Sequence, residues 1–298
     1  MKKKIISILS IISIGGLIWY LFIKPYDYLV RFKTNTNVGV INQALKAWSN
    51  SYTDSKIQFS DNLNMLSQQI DLGEDTYTYE WIIEPTTDST SFVKAYATDT
   101  KNSLINKLKI PFTETTIEKK VKENISEFNT YLIEHLKNFK VGTVVQEKLP
   151  SKYVAYVSIK TTQNKKVGGM MKNHPYLDNI MATNKIKPDG LPFIEVTYWN
   201  TKNDSIYYDF CYPIIKEDRL PYFKDIKYRR FEGGNMLKTE YNGNYITSDR
   251  AWYKLMNTAK SKNISVKKLP IEVFYTNPNF GGNELEWKAE IFMPIIIK

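Results

Sequence analysis

The sequence predicts a mixed α+β protein built from three successive parts. An uncharged apolar run near the N-terminus predicts a transmembrane helix. Short alternating segments followed by one long amphipathic helix predict an antiparallel sheet covered by that helix. An internal repeat in the second half predicts a duplicated β-α-β-β module. We therefore divide the chain into an anchor at residues 1–24 and two domains at 25–140 and 141–298, which suits its length of 298 residues.

The anchor is predicted from the run Ile5 to Ile23, which as a helix would span about 28 Å, close to the hydrocarbon thickness of a bilayer. Lysines occupy positions 2–4, whereas only Lys24 follows closely. This asymmetry favours a cytoplasmic N-terminus, with the globular domains on the non-cytoplasmic side. A cleaved signal peptide is the alternative, but Tyr20 to Pro25 lacks the small residues of a cleavage site. The sequence favours a single-pass anchor that is retained.

The amino-acid composition limits the partners, disulfides and cofactors that we expect for the globular part. The net charge of +10 comes from scattered lysines, and no stretch is typical of a helix-turn-helix or zinc finger, so we expect no nucleic-acid partner. The single cysteine, Cys211, excludes an internal disulfide. We interpret His135 as a helix-surface residue, His174 as a turn residue, and Gly168-Gly169 as turn glycines. No metal and no cofactor is expected.

The part from residue 26 to 140 begins with a predicted strand and a short helix. Tyr28 to Phe32 alternates as a strand does, and Val38 to Trp48 has helical spacing. Three antiparallel strands are predicted next, at Asn64 to Asp71, Thr76 to Glu84 and Ser91 to Thr98.

The segment from Thr116 to Phe139 is predicted to form one long helix. Its apolar residues follow three- and four-residue steps without a break, and Thr115 or Thr116 can cap its first turn. This order of elements resembles the SRPBCC (START-like, polyketide cyclase-related) helix-grip fold. The resemblance implies an apolar cavity between the long helix and the sheet. Any α+β domain whose helix packs on its sheet would show the same periodicity, so that alternative stays open.

The second half contains two copies of one pattern, from Tyr153 to Ile214 and from Gly234 to Ile295. In each copy a strand leads to a helix, then to a strand that follows a proline, then to a strand that closes on Pro-Ile. The helix of the second copy is predicted to open at Thr247-Ser248 and to bury Trp252. That of the first copy is expected after Pro175.

These motifs resemble the GyrI-like effector-binding family. Gly243 to Tyr245 looks like the family's G-x-Y turn, Pro270 to Tyr275 like its P-x-E-x-Y strand, and Glu290 to Ile295 like its closing E-I-x-x-P-I strand. The resemblance covers residues 141–297. It implies a cleft between the repeats that binds amphipathic organic molecules, cationic ones among them.

The resemblance also implies the residues of the site. Glu272 matches the family's central glutamate, and a partly buried carboxylate among aromatic rings attracts a hydrophobic cation. The other candidate ligand-binding residues share an aromatic ring: Tyr241, Tyr245, Trp252 and Phe274. A solvated strand residue is the alternative for Glu272, and core packing is the alternative for the tyrosines and the tryptophan.

Strand alternation predicts which way Glu272 points. Glu272 and Phe274 share one face of the strand, and Ile271 and Val273 share the other. If the two aliphatic residues enter the core under the helices, Glu272 faces the cleft and no unpaired charge is buried in the helix layer. We therefore expect Glu272 to point away from the helices.

Three functions follow from these observations. The favoured one is a membrane-anchored small-molecule binding protein with two ligand-binding domains in tandem. The second is an enzyme, since some GyrI-like proteins hydrolyse reactive small molecules. In that case Glu272 would act as general base or electrostatic stabiliser, with Tyr245 or Tyr275 as its partner. The third is a structural or partner-docking role.

Overall fold

A computed structural model describes residues 2–52, 55–60, 62–72 and 75–296. The chain divides into two compact units, Met1–Ile133 and Glu134–Lys298. The mixed α+β class is confirmed: an apolar N-terminal helix precedes two antiparallel sheets, and the second sheet carries the duplicated module.

The first unit begins with helix α1 (Lys2–Ile18), which continues as a π-helical stretch, Trp19–Ile23. The span Lys3–Ile23 is long and apolar enough to cross a bilayer, and none of it is buried in the protein. A retained anchor and a signal sequence share these properties.

The sheet of the first unit has five strands in the order β1-β5-β4-β3-β2. The elements are β1 (Tyr28–Thr34), α2 (Val38–Ser49), β2 (Ser55–Phe59), β3 (Met65–Leu72), β4 (Asp75–Thr87), β5 (Thr90–Asp99), α3 (Ser103–Lys109) and α4 (Thr116–Lys137). The sequence did not predict β2, a short edge strand, or α3, which is too short to show helical periodicity. Thr115 caps α4 through a reciprocal pair of hydrogen bonds with Glu118.

Aromatic rings fill the space between α4 and this sheet. The ring of Phe128 on α4 lies 5.3 Å from that of Trp81 on β4 and 5.4 Å from that of Trp48 on α2. Asn124 on α4 donates to the Tyr79 hydroxyl at 2.7 Å. Trp81 Nε1 donates to Gln68 Oε1 at 3.0 Å. The apolar cavity that the START-like resemblance implies here stays a prediction.

The second unit contains a nine-stranded sheet in the order β11-β8-β10-β9-β13-β14-β12-β6, with β7 also paired to β12. Its elements are β6 (Phe139–Val141), β7 (Val145–Leu149), β8 (Lys152–Thr162), α5 (Lys166–Thr183), β9 (Phe193–Asn200), β10 (Ser205–Pro213), β11 (Lys227–Phe231), β12 (Gly234–Gly243), α6 (Arg250–Ser261), β13 (Ile271–Phe274) and β14 (Lys288–Pro294). The two copies, β8-α5-β9-β10 and β12-α6-β13-β14, meet where β9 pairs with β13. Phe139 lies in β6, so the prediction that α4 extends to this residue was wrong.

Helix α5 begins earlier than predicted and contains both Gly168-Gly169 and Pro175. The glycines were interpreted as turn residues, which was wrong. A Cβ on Gly169 would lie 2.4 Å from the Tyr208 hydroxyl, and that hydroxyl donates to the Lys166 carbonyl at 2.7 Å. Glycine is required here because the helix passes close to a tyrosine of the sheet.

His135 is not a simple surface residue, as the sequence suggested. It is half-buried in the last turn of α4, and its Nε2 accepts a hydrogen bond from Arg250 Nε at 3.2 Å. Burial and the neighbouring Arg250 charge lower the pKa of His135 to about 4. The imidazole is therefore neutral at physiological pH.

Candidate functional site

A cavity of about 190 Å³ lies between the two repeats of the second unit. The first repeat lines it with one face of α5 and with Phe210 of β10, and the second with Tyr245, Phe274 and the loop that follows β13. The α5 residues on that face follow three- and four-residue steps: Val167, Met170, Met171 and His174. None of the described lining residues is Lys, Arg, Asp or Glu. The lining is mostly apolar and carries no carboxylate, ammonium or guanidinium group.

Tyr245 and Phe274 form the aromatic wall of this cavity, with ring centroids 4.8 Å apart. The turn before Tyr245 depends on Gly243, whose φ of +148° favours glycine. The Tyr245 hydroxyl donates to the Lys288 carbonyl at 2.7 Å and accepts from the Thr276 amide at 3.2 Å. Because its hydroxyl binds backbone, Tyr245 presents mainly its ring to the cavity.

His174 supplies the polar end of the cavity. Its Nδ1 contacts the Tyr212 hydroxyl and lies 3.5 Å from a carboxylate oxygen of Asp178, while its Nε2 lies 3.2 Å from Asn277 Nδ2. The sequence interpretation of His174 as a turn residue was wrong, since it belongs to α5. The helical spacing of Val167, Met170 and His174 was a signal that could have revealed this role.

Glu272 lies behind the cavity wall, in a fully buried ion pair. Lys166 Nζ is 2.8 Å from both carboxylate oxygens, and neither side chain has any exposed surface. Ser248 Oγ lies 2.8 Å from Oε2, and Trp252 Nε1 donates to Oε1 at 2.6 Å. Burial raises the pKa of the Glu272 carboxyl, while the Lys166 charge and the Ser248 hydrogen bond act against that rise.

The expectation that Glu272 points away from the helices was wrong. Lys166 opens α5 and Trp252 belongs to α6, so the carboxylate lies in the helix layer, while Ile271 packs in a core on the opposite face. Burial of Glu272 in this layer is possible because Lys166 supplies a countercharge. That countercharge comes from a residue 106 positions away in the sequence.

The remaining predicted site residues differ in whether they line the cavity. Trp252 is held by Glu272, and the Tyr241 hydroxyl donates to the Asn244 carbonyl at 2.8 Å; neither residue lines the cavity. Tyr275 lines it, but its hydroxyl donates to Glu290 at 2.8 Å. The described hydrogen bonds of Glu272 include neither the Tyr245 nor the Tyr275 hydroxyl, so the alternative catalytic set is not brought together. Ligand contact by any of these residues stays a prediction.

Comparison with known proteins identifies the family of this module. The model of the GyrI-like small molecule binding domain matches residues 142–296. The chain belongs to this family. Among curated proteins no sequence matches the chain.

Solved structures with a similar fold cover the GyrI-like half of the chain. The C-terminal domain of EcmrR is 15% identical, with a TM-score of 0.45 over 53% of this chain and 99% of that one. A hydrolase encoded by lin2189 from Listeria innocua is 9% identical, with a TM-score of 0.38 over 52% and 92%. SAV2435 bound to tetraphenylphosphonium is 12% identical, with a TM-score of 0.36 over 52% and 94%. All three TM-scores are below 0.5, so these likenesses carry no conclusion about this chain.

Proposed function

We propose that this GyrI-like protein is a membrane-anchored binding protein that captures amphipathic organic molecules in the cavity between its two repeats. The observation that carries the proposal is an apolar cavity with an aromatic wall at Tyr245 and Phe274 and a polar end at His174 and Asn277. An apolar cavity of about 150 Å³ suffices to bind benzene. The cavity of about 190 Å³ therefore suits a molecule with at least one ring.

The polar end explains why an amphipathic ligand fits better than a hydrocarbon. The Asn277 amide offers both a donor and an acceptor, and its Nδ2 lies 3.2 Å from His174 Nε2. A hydroxyl, carbonyl or amide on the ligand could bond to this Asn277 amide. The ring of the ligand would then lie against Tyr245 and Phe274, whose faces favour offset or edge-on aromatic contacts.

Ligand binding is tested by a thermal-shift screen of the full chain in detergent. A ligand at about 100 times its Kd should stabilise the second unit by about 2.7 kcal/mol. Met171→Trp should obstruct the cavity and abolish the shift, since Met171 lines it. Ile246→Trp is the matched control, because Ile246 is similarly exposed but does not line the cavity. Equal shifts in both variants would contradict binding in this cavity.

Helix α3 supports retention of the N-terminal helix as an anchor. It packs against the stretch Trp19–Ile23, and Lys107 donates to the Lys24 carbonyl at 2.5 Å. A helix packed on the last turn of a membrane span lies near the membrane boundary. The apolar side chains that α3 leaves about half exposed suit that environment: Leu104, Ile105 and Leu108. Cleavage of a signal peptide would remove this packing.

We also propose that the globular units lie on the non-cytoplasmic side, because the lysines at positions 2–4 precede the span. Protease added to intact spheroplasts should then digest both units. Complete protection until lysis would reverse the orientation, and recovery of a chain that begins after Lys24 would identify a cleaved signal instead.

The division into domains at residues 25–140 and 141–298 is likewise a proposal. Each is expected to fold alone, because each has its own apolar core. A fragment that starts at Glu134 is the useful control, since it keeps β6 and the bond between His135 and Arg250. Cooperative melting of the longer fragment alone would move the boundary to Glu134, and the absence of cooperative melting in every fragment would contradict independent domains.

A further inference from the structure

We infer that the cavity selects uncharged ligands, because Lys166 neutralises Glu272, the carboxylate that would otherwise attract a cation from behind the cavity wall. This inference rests on the proposed function, that the cavity binds a small molecule. It concerns the charge of that molecule, which the family resemblance led us to expect to be positive in some cases.

The surroundings of Lys166 form a complete cation site. Its three N–H bonds match three acceptors: both Glu272 oxygens at 2.8 Å and Ser248 Oγ at 2.5 Å. The ammonium also lies 5.1 Å from the centroid of the Trp252 ring. A carboxylate combined with an aromatic face is the arrangement that would recognise an organic ammonium ion. Here the ion bound there belongs to the protein.

Glu272 has no capacity left for a second cation. Beyond Lys166, its oxygens are contacted by Ser248 Oγ and Trp252 Nε1. A ligand cation could reach the carboxylate only by displacing Lys166. That exchange would leave the displaced ammonium in a buried region without its partner, which is strongly unfavourable.

The ion pair adjoins the cavity without entering it. Val167 follows Lys166, Phe274 shares the strand face of Glu272, and the Tyr245 carbonyl oxygen lies 2.8 Å from Ser248 Oγ. These three residues line the cavity and separate the pair from its interior. Since no described lining residue is Asp or Glu, a cation that enters loses hydration without meeting a carboxylate in the lining. An uncharged ligand loses far less.

The test compares two molecules of equal shape and different charge. One probe is 3-tert-butylphenol, and the other is its isostere in which trimethylammonium replaces the tert-butyl group. A second pair carries the same groups on naphthol. Binding to the full chain in detergent is measured by calorimetry. We expect the uncharged member of a pair to bind at least tenfold more tightly.

Variants at Lys166 test the cause of this preference. Lys166→Met frees the carboxylate and should improve binding of the cationic probes at least tenfold. Lys165→Met is the matched control, because Lys165 is the exposed neighbour, and it should change neither affinity. The double variant Lys166→Met/Glu272→Met lacks both charges and should keep the preference for uncharged probes, which allows a decision even if Lys166→Met does not fold.

The outcomes separate the inference from the proposed function. Equal binding of both probes, or preference of the wild-type protein for the cation, would overturn the inference and leave the proposed binding function intact. A gain in cation binding by the double variant would also overturn it, because no carboxylate remains there. If no probe of either pair binds to the wild-type protein, the cavity is not a small-molecule site and the proposed function fails as well.

Discussion

The two repeats each carry a glutamate after a Leu-Pro pair, and the two glutamates meet opposite environments. Two residues separate Pro192 from Glu195, whereas one residue separates Pro270 from Glu272. Because side chains alternate along a strand, this difference sends the glutamates to opposite faces of the sheet. The register agrees: Glu195 lies opposite Ile271, and Glu272 lies opposite Ile194.

The consequence is a difference in electrostatic environment. Glu195 is 28% exposed and pairs at 2.5 Å with Arg229, which also contacts Asp209 at 2.8 Å. Glu272 has no exposed surface and pairs with Lys166. Water can replace a lost partner at the first pair but not at the second. The comparison teaches that one extra residue between the proline and the glutamate changes the environment of the carboxylate. With the extra residue the ion pair is hydrated, and without it the ion pair is fully buried.

The largest expected effect comes from placing a glutamate on the wrong face of the first repeat. Ile194 is fully buried, opposite Glu272 in the register. Ile194→Glu would bury a second carboxylate beside the first, with Lys166 already engaged, and should cost about 5 kcal/mol or prevent folding. Urea denaturation measures this cost. Ile194→Gln is the control for polarity without charge, and equal losses in both variants would show that charge is not the cause.

The same substitution at both glutamates compares the two pairs directly. Glu272→Gln leaves the Lys166 charge buried and should cost about 3 kcal/mol. Glu195→Gln leaves Arg229 with Asp209 and with access to water, so the cost should stay below about 1 kcal/mol. Denaturation midpoints of the second unit measure both. Similar losses at the two positions would mean that the environments of the two pairs do not differ in the way described.

Stability measured as a function of pH separates the contribution of His135 from that of these carboxylates. The folded-state pKa of His135 is about 4, below its ordinary value of 6.5. As pH falls, the unfolded chain takes up the proton first, so stability is complete above about pH 6.5 and is lost down to about pH 4. The loss should be about 2 kcal/mol, discounted for partial exposure. It should be absent in His135→Gln. An identical profile in the variant would attribute the acid sensitivity to carboxylates alone.

The smallest expected effect concerns the aromatic wall of the cavity. Tyr245→Phe removes a hydroxyl that donates to the Lys288 carbonyl, at a cost of about 1 kcal/mol. Because the ring is what faces the cavity, affinity for an uncharged ligand should change less than threefold. A loss of more than tenfold in affinity, with stability retained, would place the hydroxyl in contact with the ligand.

The sequence by itself determined the features that depend on neighbouring residues. Absence of charge from Ile5 to Ile23 predicted the apolar helix, and the repeated strand-helix-strand-strand pattern predicted the duplicated module. Alternation correctly separated Glu272 from Ile271. Each of these signals is a period of two or 3.6 residues, or a run of one residue class.

Tertiary structure decided what packs against each of these faces. Periodicity shows which side chains share a face of β13, but it does not show that Lys166 meets that face from another helix. The expectation that Glu272 points away from the helices was therefore wrong. It likewise could not show that Gly169 passes Tyr208 within a helix, or that the loop after β13 closes the cavity beside His174. These contacts join residues far apart in the chain. Local spacing carries no information on such pairs, because they form only when strands and helices assemble into one packed structure.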